Sequence, residues 1–272
     1  MRRLLILAIG LLACAAPPSW AASKDAAKPS APPAAAAPPE TGHGEAIDHA
    51  VQYKHCVALA RAKPEEGWEE SLAWASLAGG DPARHCGAIA LIGLKQYEEA
   101  ATRLEVLARD SHGAARLRAG MLAQAGQAWL LAKNTERAYA AQTAALGLAP
   151  GAPDLLIDRA ETLGDAKNYK EAIADLDQAL SADPTRADGL TFRATAKRFL
   201  DDRKGAEADI NAALALDPHY QDAWLESGML KRLNDDNKGA RADWMKVLDI
   251  APNSPAGDAA RRNIELLDVR DR

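Results

Sequence analysis

Two dipeptides form the one arrangement in this 272-residue chain that resembles reactive chemistry: His55-Cys56 and His85-Cys86, thirty positions apart, preceded by Lys54 and Arg84. Together they offer two nitrogens and two sulfurs, a set that zinc or copper accepts. Adjacent residues on a helix point about 100° apart, so a His and the Cys beside it cannot easily share one ion. Three states of the sulfurs are open on this evidence: a Cys56–Cys86 disulfide, free buried thiols, or metal ligation. No haem-attachment spacing, Gly-rich phosphate loop, serine elbow or His-Glu-x-x-His run accompanies them. The expectation is a chain that is not an enzyme, with no cofactor and no metal.

The elements that position these residues follow from composition. Hydrophobic residues make up 48% of the chain and aromatics only 5%, so the core is built from Ala and Leu. Such a core favours closely packed helices over a sheet, which would need more Val, Ile, Phe and Tyr. The fold expected is all-α.

The first residues run Met1-Arg2-Arg3, then apolar Leu4 to Ala13, then Pro17-Pro18-Ser19-Trp20-Ala21, the charged, apolar and cleavage-region order of a secretory signal. Residues 1–21 are therefore read as a signal peptide, too short in its apolar run to span a bilayer. An alternative takes Leu11-Leu12-Ala13-Cys14 as a lipobox, with Cys14 lipidated and the protein held on a membrane as a lipoprotein. Residues 22–44, rich in Ala and Pro, read as a disordered tether. Without Arg2 and Arg3, 31 basic side chains stand against 38 acidic ones, a net of −7. A nucleic-acid partner would require the opposite sign, and that class is excluded. With Cys14 removed, the even pair Cys56 and Cys86 in an oxidising compartment favours the disulfide.

Beyond the tether the sequence is periodic. Pro150, Pro184, Pro218 and Pro252 are each 34 residues apart, as are Ala138, Ala172, Ala206 and Ala240. Ala145, Ala179 and Ala213 continue the period and Val247 closes it. Two residue types sharing one period define a repeat, one helix hairpin long. Small residues must recur where antiparallel helices approach closely, and a proline ends each second helix.

With Gly126, Ala160, Ala194 and Gly228 midway along the first helices, and with Tyr169-Lys170-Glu171-Ala172 and Leu176-Asp177-Gln178-Ala179-Leu180 in a second helix, the chain resembles the tetratricopeptide repeat family. The resemblance implies an α-solenoid of antiparallel hairpins over 45–272: degenerate units at 45–114, good repeats at 119–252 and a capping helix at 255–267. Tyr97-Glu98-Glu99-Ala100 matches a second-helix opening but precedes Ala138 by 38 residues, which predicts an insertion near Ser111 to Ala114.

Several charged rows share the period. Arg159 with Asp175 and Arg193 with Asp209 are expected to pair across hairpins, with Asp243 continuing the row. Asp154, Asp188 and Asp222 open first helices, where acidic groups meet the positive end of the helix dipole. They also argue against the carboxylate clamp used by some family members. Arg198 and Arg232, with Lys197 and Lys231, lie late on first helices; they are read either as groove contacts to an acidic partner or as a turn network with Asp201-Asp202 and Asp235-Asp236. Trp129, Trp224 and Trp244 are expected in the core, and Trp68 and Trp74 are left unassigned.

The function expected is a non-catalytic scaffold in the bacterial periplasm, binding a protein partner in the groove. A metal-handling or redox role for the two His-Cys dyads is the alternative. No surface stripe demands a dimer.

Overall fold

A computed structural model describes residues 48–270, which contain thirteen helices and no strand. The signal, the tether and Cys14 lie outside the described residues. The helices are α1 His49–Ala62, α2 Pro64–Ser76, α3 Gly80–Gly93, α4 Tyr97–Asp110, α5 Ala115–Leu131, α6 Thr135–Leu148 and α7 Pro153–Asp165, followed by α8 Tyr169–Ala182, α9 Ala187–Phe199, α10 Arg203–Leu216, α11 Gln221–Leu233, α12 Asn237–Ile250 and α13 Pro255–Arg270. They fall into two compact units, residues 48–121 and 122–270, with the boundary inside α5.

In the first unit α3 packs on both α1 and α2, and α4 on α3. Cys56, Ala60, Trp74, Ala83, Cys86 and Ala90 form the core. Gly67 on α2 presses against Ala60, where a Cβ would meet the Ala60 side chain at 2.8 Å. Cys56 on α1 and Cys86 on α3 are placed as a disulfide, Cα atoms 6.1 Å apart, within the span that a bridge requires.

The second unit stacks the hairpins α7/α8, α9/α10 and α11/α12 after the end of α5 and α6. Each hairpin turns in the same way. Lys133, Lys167, Asp201 and Asp235, at the 34-residue period, take φ of 61 to 65°, and the next residue's N–H bonds back to the carbonyl five positions earlier, as Asp202 does to Lys197 at 3.0 Å. This left-handed closure satisfies carbonyls at the end of the first helix. The side chains of Asn134, Asp202 and Asp236 then accept from Arg137, Gly205 and Gly239 N–H at 2.9 to 3.1 Å, capping the second helix. Asp201-Asp202 and Asp235-Asp236 are thus turn and cap residues first.

The small-residue row is buried throughout: Ala138, Ala172, Ala206 and Ala240 on second helices, Gly126, Ala160, Ala194 and Gly228 on first helices. Opposite the first-helix row, sixteen residues on, stand Gln142, Leu176, Ile210 and Trp244. Glycine occurs where that partner is Gln142 or Trp244. A buried cluster of Ala240, Trp244, Val247, Ala256, Ala260 and Leu267 seats α13 on the last hairpin. The described residues are all-α, and residues 122–270 form a tetratricopeptide-like solenoid of hairpins closed by α13.

Candidate functional site: the face of the first helices

The charged rows resolve into two sets. One is internal. Arg159 Nε and Nη2 donate to both Asp175 oxygens at 2.7 Å, and Arg193 Nε and Nη2 donate to Asp209 at 2.9 and 2.6 Å. Arg193 also reaches Asp177 on the preceding hairpin at 2.8 Å, so one guanidinium ties two repeats together. In the last hairpin Ser227 replaces the arginine and donates to Asp243 at 2.6 Å.

Of Lys197, Arg198, Lys231 and Arg232, read either as groove contacts or as a turn network, three meet carboxylates of the chain itself. Lys197 donates to Asp209 and Lys231 to Asp243, each at 2.8 Å. Arg198 forms a two-point pair with Glu226 on the next first helix, its Nη2 at 3.1 Å, and lies over the Phe199 ring at 4.4 Å. That pair is nearly buried, with side chains 10% and 8% exposed. These cations are held by carboxylates that the folded chain itself brings to them. Arg232 sits half-buried on α11.

The second set is acidic. Asp154, Asp188 and Asp222 lie in the first turns of α7, α9 and α11. Arg186 binds Asp188 at 2.6 and 2.9 Å and also Asp154, bridging two repeats. Asp158 and Glu161 follow on α7. Glu161 lines a cleft with Gly164, Tyr169, Phe192, Thr195 and Phe199, floored by Ala160, Ala172 and Ala196. Tyr169 and Phe199 stack at 4.6 Å. Among the described residues Glu161 has neither a hydrogen bond nor an ion pair.

Burial, then the neighbouring Asp158, Asp165 and Asp222, push the Glu161 carboxyl up to about 8. Burial pushes Asp158 up to about 6, against a hydrogen bond from Gln127 at 3.2 Å. Asp222 is likewise pushed up to about 6 by burial, so burial outweighs the helix dipole there. Glu226 is raised by burial in spite of Arg198. The acidic face escaped the sequence reading because its members come from different repeats; the row Asp154, Asp188, Asp222 was its visible edge.

The His-Cys dyads do not converge. Both sulfurs meet each other, His55 is exposed, and His85 Nδ1 lies 2.7 Å from the Tyr53 hydroxyl. No group of three His, Cys, Asp or Glu among the described residues is placed to hold a metal. The tryptophans are structural: Trp129 and Trp244 are buried, Trp224 packs by α13 and donates to the Pro218 carbonyl at 2.9 Å. Trp74 is core, and Trp68 is partly buried beneath Arg103.

Residues 153–186, spanning α7 and α8, match the tetratricopeptide repeat family model. No curated protein matches the chain. Among solved structures, MamA residues 41 to the end from Desulfovibrio magneticus RS-1 is similar with a TM-score of 0.51 at 23% identity, covering 60% of this chain and 90% of that one. The Cut9–Hcn1 hetero-tetramer of the APC/C is similar with a TM-score of 0.62 at 16% identity, covering 79% of this chain and 42% of that one. At such identities the likeness is one of fold. Joined to the 34-residue period and the shared turn, it shows a tetratricopeptide-like fold, in which one repeat, residues 153–186, matches the family model.

Proposed function

We propose that the chain is a non-catalytic scaffold of the bacterial periplasm, holding a segment of a partner protein against the first helices α7, α9 and α11. The observation that carries this is the cleft on that face, where Glu161 has neither a hydrogen bond nor an ion pair among the described residues while Arg159, Arg193 and Arg198 are bound by carboxylates of the chain itself. A solenoid of hairpins presents such a face as one continuous surface. Export rests on the signal pattern of residues 1–21, with membrane attachment through Cys14 as the alternative route to the same compartment. A Cys56–Cys86 bridge would persist in such an oxidising compartment.

Affinity capture from envelope extract with the full chain as bait tests the reading. A partner retained by the native chain and lost by Thr195→Trp, which fills the cleft, is the expected result, with helix content unchanged. Equal retention by both chains would move binding off this face.

A further inference from the structure

The cleft between α7, α8 and α9 also specifies what fills it. Its floor is small and apolar, Ala160, Ala172 and Ala196, and its walls include Phe192 and Phe199. Its one acidic lining group is Glu161, which has neither a hydrogen bond nor an ion pair among the described residues. An acidic occupant would meet Glu161 together with Asp158, Asp165 and Asp222. A purely apolar occupant would cover the Glu161 carboxyl and leave a buried polar group without a partner, at a desolvation cost. A side chain with a long apolar stem and a cationic end satisfies both parts of the site.

Resting on the scaffold reading above, we infer that this cleft receives a lysine side chain from the partner's segment, its methylenes against Phe192 and the alanine floor and its ammonium on the Glu161 carboxylate. Two arginines of the same face are already engaged, Arg198 by Glu226 and Arg186 by Asp154 and Asp188. The surrounding acidic groups make the whole face favourable to a basic segment, while the cleft selects the one lysine that is buried.

Fluorescence anisotropy with the full chain and labelled peptides of alternating Gly and Lys, Gly and Glu, or Gly and norleucine provides the test, run at physiological salt. The lysine peptide should bind at least tenfold more tightly than either of the others. Glu161→Gln should weaken it at least tenfold, while Glu265→Gln, the same charge change on exposed α13, should alter it less than twofold. Equal losses from the two variants would mean diffuse attraction to an acidic protein and would overturn the site. Preference for the glutamate or norleucine peptide would overturn it as well. Tighter binding by a chain carrying Lys24→Gln and Lys28→Gln would identify the chain's own lysines as the occupant, and self-association abolished by Glu161→Gln would identify a second copy; either contradicts a partner's lysine. A partner captured equally by the native chain and Glu161→Gln, yet lost by Thr195→Trp, would preserve the scaffold reading and reject the lysine.

Discussion

Gly228 on α11 lies directly against the Trp244 indole on α12, so a Cβ at that position would overlap the ring. Gly126 stands in the same relation to Gln142, while Ala160 and Ala194 fill this register opposite Leu176 and Ile210. The hairpin contact therefore keeps a roughly constant volume, with the small partner shrinking as the large one grows. Enlarging Gly228 to Leu should destabilise the protein by about 1–3 kcal/mol, and Ala172→Leu or Ala206→Leu by a similar amount. Urea unfolding of the three variants measures this, and tolerance at all three contradicts the register.

The arginine pairs differ in redundancy. Asp175 is bound by Arg159, whereas Asp209 has both Arg193 and Lys197. Arg159→Met leaves a nearly buried carboxylate without its cation and should cost about 2–3 kcal/mol. Arg193→Met should cost less at that carboxylate, since Lys197 remains. Thermal unfolding of the two variants side by side gives the comparison, and a larger loss for Arg193→Met would run against it.

Stability should fall as pH rises from about 5 to about 8. Glu161 holds its proton to about 8, Asp158 and Asp222 to about 6, whereas unfolded carboxylates release theirs near 4. Over that window the native state binds more protons than the unfolded one, so raising pH favours unfolding. The groups facing Glu161 are Asp158 and Asp165 on α7, Tyr220 before α11 and Asp222 on it, and none is a cation. Glu161→Gln should flatten the upper half of the decline in denaturation midpoints measured from pH 5 to 8.5; an unaltered slope would show that another group carries it.

Replacing Cys56 and Cys86 by Ser should loosen residues 49–110 in hydrogen exchange. Closing a loop of thirty residues stabilises by roughly 3.6 kcal/mol on a chain-entropy argument. Residues 153–250, whose packing is with their own neighbours, should keep their protection. Intact mass of the purified protein with and without reductant supplies the covalent check: a shift of about two daltons is expected, and identical masses mean that the thiols are free.

The repeat was legible because it is written in single residues at one spacing: prolines after second helices, alanines inside them, glycine or alanine opposite. The Arg159–Asp175 and Arg193–Asp209 pairs were legible for the same reason, each lying within one hairpin. Arg198 was not, because its partner Glu226 is 28 residues on, in the next repeat, and nothing local marks the pairing. Asp201 and Asp235 read as counter-charges, whereas their backbones make the left-handed turn. The cleft was hidden because Glu161, Thr195 and Phe199 share no motif; only stacking α7 on α9 makes them neighbours.

Site-specific photocrosslinking tests the central claim most directly. A benzophenone side chain placed at Thr195, within the cleft, is compared with one at Lys238, exposed on the second helix α12. The account predicts one protein adduct from Thr195 and none from Lys238 in envelope extract. Adducts from Lys238 alone, or equal yields from both positions, would contradict it.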